Sequence, residues 1–153
     1  MKEYFIRFFN FNNWANKAVA DYISANEITD EQVLLLASHL AHAQRNWYFR
    51  VIGQQNDVPI WDPLPPSSLG SKFAENGALW LSHLNDLQDT DLHTKLAYKS
   101  MAGDPYLDNL ADVLTHLVNH STYHRGQIIY LIRGLGMTPP GTDFILFARQ
   151  FPQ

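Results

Sequence analysis

Four long stretches of this chain carry apolar residues at helical spacing, and glycine, proline or capping residues interrupt them. This pattern constrains the fold most, because four amphipathic helices must bury their apolar stripes against one another. The first stretch runs from Lys2 to about Ala25, with Phe5, Phe8, Phe9, Trp14, Ala18 and Ile23 as candidate core positions. Asn26-Glu27-Ile28-Thr29 breaks it. Thr29 is the expected N-cap of the second helix, and the charges of Asp30 and Glu31 suit its first turn. That helix runs to about Ile52 and stops at Gly53. Pro59, Pro63, Pro65 and Pro66 make residues 54–66 a loop. A third helix starts near Ser67 or Ser68 and continues to about Leu87.

Residues 90–106 alternate only partly, and Gly103-Asp104-Pro105 signals a turn, so a short hairpin or a plain loop fits. The fourth helix is expected from about Leu107 to Arg133, ended by Gly134 and Gly136. After Pro139-Pro140-Gly141, Thr142 or Asp143 caps a final short helix through Phe151. With no internal repeat and no linker, the 153 residues read as one all-α helical-bundle domain.

The chemistry of the chain concentrates in the fourth helix. His116, His120 and His124 recur every four residues, a spacing that returns almost to the same helix face. Facing imidazoles can share one metal ion. His116 and His124 lie roughly 12 Å apart along the axis, whereas a zinc–nitrogen bond is about 2.1 Å long. One ion therefore takes either His116 with His120 or His120 with His124. A third ligand is expected from a facing helix, where Ser38-His39-Leu40-Ala41-His42 offers two histidines. His39 shares a face with Trp47 and points inward, and His42 fits the edge. His83 and His93 are isolated and read as solvated or locally hydrogen-bonded.

The chain has no cysteine, which removes disulfides, thiolate ligands and a cysteine nucleophile together. Any metal would have nitrogen and oxygen ligands, and any thiol chemistry would need a thiol from outside. A His-Glu-x-x-His protease is disfavoured, since Ser121 follows His120 where the general base would stand. Three neutral imidazoles leave the ion its full charge and an open position, which activates a bound water or thiol. The alternatives are a hydrolase using metal-bound hydroxide, a non-enzymatic metal-binding stress-associated protein, and a bundle without metal. A net charge of −4 and no basic block argue against a nucleic-acid surface. The early charges at Lys2, Glu3 and Arg7 do not suit a signal segment, and no apolar stretch approaches the roughly 20 residues of a membrane span. A soluble cytoplasmic protein is expected.

The segment from His116 through Gln127, followed by Pro139-Pro140 and Asp143-Phe144, resembles the C-terminal signature of the DinB family. Phe11-Asn12-Asn13-Trp14-Ala15-Asn16 resembles its first-helix motif, and Ser38-His39-Leu40 through Trp47 its second-helix motif. The resemblance implies a four-helix bundle of up-down-down-up type, often homodimeric, with a divalent metal on three histidines. Carried over by motif, those ligands are His39, His120 and His124. The resemblance further implies zinc or nickel, and a thiol-dependent transferase or isomerase acting on a small molecule with a low-molecular-weight thiol. His116 then becomes a neighbour of the site. One of Asn12, Asn13 and Asn16 (Asn16 is the candidate) accepts an imidazole N–H, and the others are surface residues. Tyr123 and Arg125 flank His124 on different faces, with Arg125 reading as a structural salt bridge or as a fork for a substrate carboxylate. Trp14, Trp47 and Trp80 are expected in the core.

Overall fold

The computed structural model describes residues 1–54, 58–100 and 102–153 and is mostly helical. Its elements are α1 (Lys2–Ala25), α2 (Glu31–Val51), α3 (Pro66–Asp86), a 3-10 helix (Asp89–His93), β1 (Lys95–Lys99), β2 (Pro105–Asn109), α4 (Leu110–Gly134) and α5 (Phe144–Gln150). Of the expected loop at 54–66, residues 55–57 lie outside the described residues, as does Met101 in the 90–106 stretch.

Local chemistry explains where these elements begin. Asp30, not Thr29, is the N-cap of α2, since its carboxylate accepts the backbone N–H groups of Gln32 and Val33. The third helix starts one residue earlier than expected because Pro66 stands at its first position, where a missing N–H costs no helical bond. Residues 107–109 belong to β2, so α4 starts at Leu110. Antiparallel pairing from Lys95 with Asn109 to Lys99 with Pro105 removes them from the helix. The hairpin thus supersedes the plain-loop alternative. Asp143 is the N-cap position of α5.

The four long helices pack with α1 and α2 each against both α3 and α4. In α1 the buried stripe comprises Phe5, Phe9, Phe11, Asn12, Ala15, Asn16, Val19, Ala20 and Ile23. Phe8, Trp14 and Ala18 are only partly buried. The stripe therefore includes two asparagines that the apolar pattern had placed outside. Trp80 is fully buried, while Trp47 is half-buried.

Apolar packing forms two clusters. One joins Phe5, Phe9, Trp80, Leu84, Leu114, Leu117 and Phe147, and the other joins Val19, Ile23, Val33, Leu40, Phe73, Ile128 and Ile132. Buried polar side chains sit near the middle of each long helix: Asn12 and Asn16, Gln44, Asn76, and Ser121 with Arg125. They are knit to one another and to backbone. Gln44 Nε2 donates to Ser121 Oγ at 3.2 Å, Asn76 Nδ2 to the Ala41 carbonyl at 2.8 Å, and Trp80 Nε1 to the Gln44 carbonyl at 3.1 Å. Hydrogen bonding offsets the cost of burying these groups.

His83 departs from its expected surroundings. It is half-buried beside Tyr48 and Trp80, and its Nε2 has no partner among the described residues. Burial lowers its pKa from 6.5, partly opposed by Asp86. Below that value the unfolded chain takes up a proton that the folded chain resists, so stability falls as pH falls through and below 6.5. His83→Leu is expected to make that decline shallower and to leave stability at neutral pH equal or higher, as read by urea unfolding across the range. A variant whose acid sensitivity matched the parent would refute the assignment. Among the described residues no helix is long and apolar enough to cross a membrane.

Candidate metal centre

At the level of the polar side chains, α2 and α4 bring three imidazoles together. His39 comes from α2, and His120 and His124 come one turn apart from α4. One ring nitrogen from each lies within 4.8 Å of the others, a group that could hold a metal ion. His39 Nε2 and His120 Nε2 are 3.2 Å apart. Two nitrogens sharing a tetrahedral ion at bond lengths of about 2.1 Å stand about 3.4 Å apart, so this spacing fits.

Hydrogen bonds orient two of the rings. His39 Nδ1 lies 3.1 Å from the Ile60 carbonyl, and His124 Nδ1 lies 2.6 Å from Gln127 Oε1. Both partners are acceptors, so each Nδ1 carries the proton and each Nε2 presents its lone pair. This is the usual support of a metal-bound imidazole. Burial is the largest cause lowering the pKa of His39; the Ile60 bond opposes it, and the charges of His124 and His42 add to it. Burial, then His124, His39 and His116, brings His120 down to about 3. Both rings are thus neutral near pH 7, the form that ligates a metal.

The loop after α2 is fastened by the same short segment that supplies His39. Ser38 Oγ accepts the Leu64 N–H at 2.8 Å, and His42 Nε2 donates to the Asp62 carbonyl at 2.9 Å. His42 therefore stands outside the converging group and clamps the loop, buried rather than at the edge. The clamp places Trp61 flat on His39, with ring centroids 3.8 Å apart and planes at 12°. The sequence reading missed Trp61, Ile60 and the role of Gln127. The clustered Ser38, His39 and His42 beside a proline-rich loop were the available signal for the first two. For Gln127 it was the three-residue spacing from His124. Gln127→Ala is expected to weaken metal binding roughly 10- to 100-fold while leaving one ion per chain, whereas Gln127→Glu, which keeps an acceptor, should weaken it less. Metal titration would decide, and equal affinities for parent and Gln127→Ala would refute the role.

The other expected neighbours separate. His116 stands one turn before His120 with ring centroids 5.4 Å apart, and packs edge-on against Trp47 at 5.5 Å. Burial lowers its pKa. Tyr123 is exposed, with its ring 5.1 Å from that of His124. Arg125 turns the opposite way and is 1 % exposed. Among the described residues it forms no salt bridge and meets no carboxylate. Its Nη1 donates to Asn12 Oδ1 at 2.6 Å and Asn16 Oδ1 at 2.8 Å, and its Nη2 to Thr122 Oγ1 at 2.9 Å. Asn12 and Asn16 accordingly serve Arg125 and not an imidazole, and both are buried. Asn13 is partly buried against Gly77 of α3, where an added Cβ would come within 2.6 Å of its side chain.

Comparison with known proteins agrees with this architecture. The DinB family model matches residues 1–152. Protein DinB of Bacillus subtilis (strain 168) is 21 % identical over 163 aligned positions, covering 96 % of this chain and 95 % of that protein. The crystal structure of a DinB-like protein from Bacillus cereus ATCC 10987 superposes with a TM-score of 0.70 at 20 % identity, covering 91 % of this chain and 95 % of that one.

Proposed function

This chain belongs to the DinB family, and we propose that it is a metal-dependent enzyme in which His39, His120 and His124 hold one zinc or nickel ion. The reaction we assign is transfer of an external low-molecular-weight thiol to a small electrophile. The observation that carries the reading is the convergence of three imidazole nitrogens within 4.8 Å, in a chain that has no thiol of its own. Bound by three neutral ligands, such an ion supplies Lewis acidity that lowers the pKa of a thiol or water at an open position.

The protein's own contribution is positional. The Ile60 carbonyl and Gln127 hold the protons of His39 and His124 on Nδ1, away from the shared centre. Trp61 covers one face of His39 and restricts solvent there. Arg125, one residue after His124, ties the inner side of α4 to α1 and so fixes the height of two ligands relative to the rest of the core. The reading takes the four long helices as an up-down-down-up bundle, working as a cytoplasmic homodimer without nucleic acid or membrane as partner.

Metal-loaded protein should turn over electrophiles only when a thiol such as bacillithiol or mycothiol is supplied, and thiol should bind more tightly to the loaded form. Metal-dependent hydrolysis without thiol would overturn thiol transfer in favour of metal-bound hydroxide. Metal binding with no turnover on a broad panel would favour a non-enzymatic role.

A further inference from the structure

Between the hairpin, α2 and α4 lies a cavity of about 250 Å³, lined by Trp47, Tyr98, Asp108, Asp112, Val113 and His116. Its size suits a compact ligand. Its position is informative because His116 belongs both to the cavity lining and to the surroundings of His120, 5.4 Å away between ring centroids. A molecule held here would sit one side chain from the imidazole cluster.

The lining selects for charge. It contains two carboxylates and no lysine or arginine. Asp108 Oδ2 accepts the Tyr98 hydroxyl at 2.7 Å, and Asp112 Oδ2 accepts the Asn109 side-chain amide at 3.2 Å. Among the described residues neither carboxylate forms an ion pair. These bonds engage only the Oδ2 of each. The aromatic walls agree: Trp47 and Tyr98 meet edge to face with centroids 5.0 Å apart. The Arg50 guanidinium lies 4.8 Å and 5.3 Å from those two rings, so they already receive a cation from outside the lining. A ligand cation would share the neighbourhood with Arg50, which lies outside the lining that holds the two carboxylates.

We propose that this cavity binds a small organic cation, an ammonium or quaternary ammonium group, and that it presents the substrate of the adjacent centre. The second clause rests on the metal reading above; the binding itself does not.

The test uses the full chain stripped of metal by a chelator, with choline, its uncharged carbon isostere dimethylbutanol, and the similarly shaped carboxylate tert-butylacetate as probes. Choline should bind and shift the Trp47 indole signal in NMR titration, and the other two should not. Asp112→Asn, at an exposed position that leaves the fold intact, should weaken choline roughly threefold to tenfold, and Trp47→Leu at least as much. Tyr98→Phe, which keeps the ring, should bind within about twofold of the parent. Equal binding of the three probes, preference for the carboxylate, or choline binding indifferent to both Asp112→Asn and Trp47→Leu would overturn the site. Metal titration of the same samples is read separately. Choline binding without metal binding supports the cavity and removes its link to the centre. Metal binding without choline binding removes the cavity assignment alone.

Discussion

His120→Ala is expected to lower the affinity for zinc or nickel by at least about 100-fold, since disturbing even the partner of a ligand costs 10- to 100-fold. His120 touches both other members of the set. Its Nε2 stands 3.2 Å from that of His39, and its ring is 4.5 Å from that of His124. Removing it leaves two nitrogens, one from α2 and one from α4, where three had converged. His39→Ala and His124→Ala should lose affinity comparably, and thiol-dependent turnover should vanish in all three. His116→Ala is the control: its ring neighbours His120, yet it lies outside the converging group, so stoichiometry should stay at one ion per chain. Competition with a chromophoric chelator and elemental analysis of untagged protein would measure this. Parent-like affinity in His120→Ala, with folding verified by circular dichroism, would remove the centre and the function built on it.

That α4 offers two ligands was legible because a helix makes spacing into geometry, but spacing left His116 with His120 and His120 with His124 as alternatives, and the resemblance chose the second. Four residues along α4 nearly repeat a face, and the axial length of the helix kept His116 and His124 from sharing an ion. Spacing says nothing about which residue of another helix arrives opposite, so the choice of His39 over His42 rested on resemblance. The physical reason for their different places lies in the loop: His39 and His42 both reach loop carbonyls, but His39 uses Nδ1 and keeps Nε2 free toward α4, while His42 spends Nε2 on Asp62. The four long helices were similarly legible from stripes and breaks. The hairpin was only half legible, because the alternation along it is partial and each strand is only five residues long. The polar layer escaped for a different reason. Asn12 was read as a surface residue, Asn16 as an acceptor for an imidazole N–H and Arg125 as a salt bridge or carboxylate fork, although Leu114, Leu117, Val118, Ser121, Arg125, Ile128 and Ile132 follow one buried helical register.

That register leads to the largest expected effect on stability. Arg125→Leu should destabilise the fold by about 2–5 kcal/mol, because each buried polar group left without a partner costs about 1–3 kcal/mol and the buried Asn12 and Asn16 are abandoned together. The guanidinium is 1 % exposed, and burial lowers its pKa to about 9, so it stays charged at neutral pH. No carboxylate neutralises it among the described residues. Amide and hydroxyl oxygens of Asn12, Asn16 and Thr122 solvate it instead, with its guanidinium carbon 5.3 Å from the centre of the Phe11 ring. Satisfaction is incomplete, since Arg125 Nε and Asn16 Nδ2 have no partner among the described residues. The apolar replacement therefore gains some desolvation energy while stranding Asn12 and Asn16 in the core, and the stranded acceptors dominate. Converting Asn12 and Asn16 to leucine alongside Arg125→Leu should recover part of the loss, because no buried acceptor is then orphaned. Arg125→Lys should not rescue, as a single ammonium cannot reproduce the planar fork that reaches α1 and Thr122 at once. Urea unfolding of the single and triple variants would measure these differences. An Arg125→Leu protein within about 1 kcal/mol of the parent would mean that the polar layer is not what joins α4 to α1.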